Sequence, residues 1–77
     1  MKREIYTGEI KYMPFEGGFY GIITESNLKL LPIKLLSQYK QDGAIVAFSG
    51  RYIKDIKTIQ QWGSPFLIEE IKLLSPK

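Results

Sequence analysis

Three stretches of this chain read as strands, the first by clean alternation of apolar and polar residues, and each carries a glycine in its interior. The first sets Tyr6, Gly8, Ile10 and Tyr12 on one face and Thr7, Glu9 and Lys11 on the other. The second, Phe19-Tyr20-Gly21-Ile22-Ile23-Thr24, is rich in aromatic and β-branched residues. The third runs from Ala44 to Ile53 and puts Val46, Phe48, Gly50 and Tyr52 on one face. A period of two is the signature of a half-buried strand. Glycine weakens a strand unless the strand must bend sharply or lie close to another segment. Bent strands in a chain of 77 residues point to one small, tightly coiled sheet.

Turn chemistry separates the strands. Pro14 ends the first ladder because it has no N–H to donate. Glu16-Gly17-Gly18 supplies positive φ at little steric cost, so the first two strands form a hairpin across Pro14 to Gly18. Glu25-Ser26-Asn27 is the next turn, and Leu28 to Leu31 reads as a short third strand. From Pro32 to Lys40, Ile33, Leu36 and Tyr39 have the spacing of a short helix with one buried side. Gly43 is its candidate left-handed stop. Beyond the fourth strand, Lys54 to Lys57 is a polar connection and Thr58 to Trp62 a further strand piece, broken by Gly63-Ser64-Pro65. Phe66 to Leu74 is ambiguous. Leu67, Ile68, Ile71 and Leu74 favour a helix by periodicity, whereas closing the sheet requires a strand, and we follow the sheet.

The resulting order is strand, strand, short strand, short helix, strand, strand. With glycines where strands bend, this is the pattern of a five-stranded Greek-key barrel of the OB-fold type. The alternative is an open sheet with a packed C-terminal helix.

Composition removes whole classes of function. The chain has no Cys and no His, which excludes a zinc finger, a disulfide framework, a thiol nucleophile and an imidazole base. No cofactor is implied. The charge of +3 permits a polyanionic partner without requiring one. The first residues lack the pattern of a signal peptide, and no apolar run approaches the roughly 18 residues of a membrane span. A cytoplasmic protein with no membrane contact is the expectation.

Three segments resemble cold-shock domains. Gly8-Glu9-Ile10-Lys11-Tyr12 is similar to their Gly-x-Val-Lys-Trp opening, and Gly18 to Thr24 to the Gly-Phe-Gly-Phe-Ile-Thr strand that follows. Gln41 to Phe48 resembles their Glu-Gly-Gln-x-Val-x-Phe strand. The chain also resembles a group of small prokaryotic OB-fold proteins with a Glu-Gly-Gly-Phe-Tyr-Gly-Ile segment and a late Trp-Gly-x-Pro, here Glu16 to Ile22 and Trp62 to Pro65. The second aromatic motif of cold-shock domains is missing, since the third strand reads Leu28-Lys29-Leu30-Leu31-Pro32. The resemblance implies a shared barrel more firmly than a shared ligand.

Single-strand binders need flat rings for bases and cations for phosphates. The resemblance puts stacking rings at Tyr12 and Phe19. Arg51, Lys54 and Lys57 cluster after the fourth strand and would line a groove, unless they are merely a solvated connection. Lys11 follows the opposite face from Tyr12. The expected ligand is single-stranded RNA or DNA, bound weakly and with little sequence preference. The rival reading is a protein-interaction or assembly module, with a protein partner or a second copy held through Leu30, Leu31 and Trp62. It predicts exposed leucines around Pro32. Trp62 either packs over the barrel or serves as an anchor. Catalysis has little support: the serines have no histidine to activate them, and no carboxylate pair is convincing.

Overall fold

In a computed structural model, which describes residues 4–54 and 61–76, the chain forms five strands and one short turn of helix. The strands are β1 (Tyr6–Met13), β2 (Phe19–Thr24), β3 (Lys29–Ile33), β4 (Ile45–Tyr52) and β5 (Ser64–Ser75). They close into a barrel in the order β1-β2-β3-β5-β4. All pairs are antiparallel except β3 with β5, which is parallel. This is the OB-fold-like Greek-key barrel expected from the sequence. Among the described residues no helix is long and apolar enough to cross a membrane.

Alternation builds the core. Ile10, Ile22, Leu30, Val46, Phe48, Phe66 and Ile68 point inward and are buried. Four aromatic rings mesh at one end. Phe66 meets Phe48 and Tyr6 edge-on at 5.6 and 5.4 Å, and Tyr52 at 5.2 Å. Fully burying each large apolar side chain is worth about 1.5–3 kcal/mol, so these few residues carry most of the fold.

The three interior glycines mark close approaches. A methyl group at Gly8 would stand 2.7 Å from Ile22 Cγ2. At Gly21 it would strike the Trp62 ring, and at Gly50 the carbonyl of Leu67. The register also slips between Ser49 and Gly50, so Gly50 lies at an irregularity where β4 coils against β5.

The segment after the third strand differs from its sequence expectation. The short helix is a single 3₁₀ turn, Ser37–Tyr39. β3 runs on through Pro32 to Ile33, and Lys34 then takes a left-handed φ of 66°, which no helix continues through. Leu35 and Tyr39 pack on the core instead, leaving Leu36 exposed. The last segment is the strand that closing the sheet required, with Phe66 buried between β3 and β4 and Ile68 buried beside β4. Pairing with β3 over residues 64–67 and with β4 over residues 66–75 outweighs the helical spacing of its apolar residues. Of the strand piece expected over Thr58 to Trp62, residues 58–60 lie outside the described residues, and Gln61 and Trp62 are not in a strand.

Candidate functional site

The side chains of β2 divide between two surfaces. Tyr20, Ile22 and Thr24 face the interior, whereas Phe19, Gly21 and Ile23 face outward. On the outer surface a row of rings crosses three chain segments. Phe15, in the turn between β1 and β2, meets Phe19 edge-on at 5.4 Å, and Phe19 meets Trp62 at 5.9 Å. Trp62 arrives from the connection between β4 and β5 and covers the α-carbon of Gly21. A hydrogen bond holds the two loops together: Gln61 N–H donates to Glu16 Oε1 at 2.9 Å. Phe15 is 46% exposed, whereas Phe19 and Trp62 are half-buried.

Cations border this row. Lys11 stands directly across from Gly21 in the β1–β2 register and on the same outer face. It also lies 3.8 Å from Glu9 in a loose, exposed ion pair, of a kind worth little in water. Lys29, exposed at the start of β3, pairs with Ile23 on that face.

The second surface is a cleft of about 510 Å³ beside the far end of β2. The ladder between β2 and β3 is short: Ile22 pairs with Leu30 and Ile23 with Lys29, and the pairing stops there. The cause is legible in the alternation of antiparallel hydrogen bonds. Thr24 N–H donates to the Leu28 carbonyl at 2.9 Å, so the bonded pairs fall at 24 with 28, 22 with 30, and next 20 with 32. Residue 32 is Pro, which has no N–H for the Tyr20 carbonyl. The strands part, and the gap is lined by Tyr12, Phe19 and Tyr20 on one side and Leu31, Pro32 and Lys34 on the other. The Tyr12 and Tyr20 rings lie 5.2 Å apart.

The residues expected to bind therefore separate. Tyr12 follows the inner face, 45% exposed where β1 runs out past the core, and Phe19 the outer one; both line the cleft. Arg51 is not beside them. β4 meets β1 around Tyr6, at the opposite end of β1 from Met13, the partner of Phe19. Arg51 instead pairs with Glu69 at 3.4 Å. Lys54 is exposed just past β4, and Lys57 lies outside the described residues. Leu30 and Leu31, expected at a partner contact, are 1% and 5% exposed and belong to the barrel, because β3 is flanked by strands on both edges. Trp62 packs over the barrel wall, half-buried.

Phe15, Tyr20, Lys34 and Lys40 do not stand out in the sequence. Phe15 lies in a turn, outside every alternating stretch, and Tyr20 looks like any strand aromatic. The usable signal is Pro32, whose place before a helical spacing suggests a helix start but which acts as a ladder break.

No family model, no curated protein and no solved structure matches this chain.

Proposed function

We propose that this barrel is a non-catalytic module that binds single-stranded nucleic acid, weakly and with little sequence preference. The carrying observation is the row of rings Phe15, Phe19 and Trp62, spaced 5.4 and 5.9 Å on one outer surface and partly exposed. Every base has a face that stacks on such rings, and each stacked base contributes about 1–3 kcal/mol. Lys11 and Lys29 border the row and supply charge for the phosphates between bases. The similarity of β1 and β2 to cold-shock segments supports the same reading, as does the surplus of basic residues, and a cytoplasmic site of action fits it. The protein-contact alternative loses Leu30 and Leu31 to the barrel but keeps the exposed Leu28 and Leu36 on either side of β3.

Trp62 is the sole tryptophan, so its fluorescence reports directly on the row. Short oligothymidylate or oligouridylate is expected to quench it, with affinity falling steeply between about 20 and 200 mM salt. Absence of both quenching and amide shifts at low salt would overturn the proposal.

A further inference from the structure

We infer that the cleft between β2 and β3 takes one unstacked nucleotide of the bound strand, with the base in the gap and its phosphate at the mouth. This rests on the single-strand reading above and adds to it a position where the base is read. Three features carry it.

First, the gap offers main-chain polar groups. By the alternation fixed at Thr24 and Leu28, the N–H and C=O of Tyr20 point toward β3. Their ladder partner would be Pro32, and the two residues are not paired. The Tyr20 carbonyl, which Pro32 has no N–H to serve, can accept from an amino or imino group of a nucleobase. Second, the walls suit a flat aromatic guest. Tyr12 and Tyr20 form one side with rings 5.2 Å apart, and the volume of about 510 Å³ falls within the range of small-molecule sites. Third, the charge is one-sided. Among the described residues Lys34 and Lys40 line the cleft and no carboxylate does. The nearby Asp42 accepts from the main-chain N–H of Tyr12 at 2.7 Å.

Lys34 also takes an uncommon backbone conformation. It holds φ at 66°, a region that few residues with a side chain adopt. Glycine there would be easier on the backbone, yet the position carries a cation. Strain of this kind gathers at ligand sites.

The test uses the whole chain, isotopically labelled. Adenosine 5′-monophosphate and uridine 5′-monophosphate are expected to give saturable amide shifts at Tyr20, Leu31 and Lys34, and ribose 5-phosphate at least about tenfold weaker binding. In a hexanucleotide scanned with a single abasic position, affinity is expected to drop about tenfold at one site and less than about twofold elsewhere. Lys34→Gly should hold or raise the melting temperature while nucleotide affinity falls several-fold; a purely structural lysine would move neither affinity nor shifts. Pro32→Ala restores the missing N–H and should narrow the cleft, weakening the mononucleotide more than the oligonucleotide. A flat abasic scan, with shifts confined to Phe15, Phe19 and Trp62, would overturn the cleft inference and leave the outer row standing. Failure of every oligonucleotide to bind would overturn both.

Discussion

The six-membered ring of Trp62 covers the α-carbon of Gly21, so closely that no other residue fits at position 21 without moving the ring. A loop residue more than 40 positions away is thereby set against the outer wall of β2. It is also set beside Phe19, so the glycine shapes the proposed binding row without contributing a side chain to it.

Gly21→Ala is therefore expected to lift Trp62 off the wall. Overpacking of this kind costs about 1–3 kcal/mol. Trp62 emission should shift toward the red, and oligonucleotide affinity should fall several-fold while the far-ultraviolet spectrum stays that of the barrel. An unchanged emission maximum would mean that the ring accommodates the methyl group in place.

The hydrogen bond from Gln61 N–H to Glu16 Oε1 ties the two loops that carry Phe15 and Trp62. Glu16→Ala should speed exchange of the Gln61 amide proton by about tenfold, the kinetic counterpart of roughly 1.4 kcal/mol, with little effect on global unfolding. Equal exchange in the two proteins would show that the tie does not hold the loop.

Phe66 touches Tyr6, Phe48 and Tyr52, and is fully buried. Phe66→Ala leaves a cavity where three other rings converge, and such truncations cost about 3–5 kcal/mol. For a domain this small that approaches the whole stability. Circular dichroism should show a melting transition lowered by tens of degrees or lost.

Tyr6 gives a signed pH dependence. Partial burial, followed by the charge of Glu4, holds its phenol above the ordinary value of 10.0, and its hydroxyl donates to Glu4 Oε1 at 3.2 Å. The folded state keeps a proton that the unfolded chain gives up. The associated stability is present below pH 10 and is lost as pH rises through the higher, folded value. Urea midpoints measured at about pH 8 and about pH 11 should fall less for Tyr6→Phe than for the parent.

Much of the barrel is legible in the residues because each strand obeys a local rule. Alternation gives β1 and β4 their faces, aromatic and β-branched residues mark β2, and the interior glycines mark places where other segments approach closely. β5 escapes that rule. Its apolar residues also fit a helix, and only pairing with β3 and β4 decides between the two. The site is less legible because it depends on residues that alternation treats as ordinary. Tyr12 and Phe19 both border the cleft, but from opposite faces of one hairpin. Their meeting depends on where the β2–β3 ladder fails, and that failure follows from one missing hydrogen at Pro32. The basic residues after β4 look well placed because they lie close together in the chain, yet the barrel carries Arg51 to the other end of β1. The bordering cations come instead from Lys11, Lys29, Lys34 and Lys40, which lie scattered along the chain.

The parallel pairing of β3 with β5 also sets an order of events during synthesis. β1, β2 and β3 can join through local hairpins as soon as they emerge. The ring closes only when Ser64–Ser75 arrives to fill the place between β3 and β4. Contacts so distant in sequence form slowly. Until they form, a nascent chain shows open edges on both β3 and β4, and open edges recruit other strands. For this protein the hazardous interval is the translation of its final strand, and anything that stalls a ribosome before Ser64 should produce aggregation rather than a smaller folded barrel.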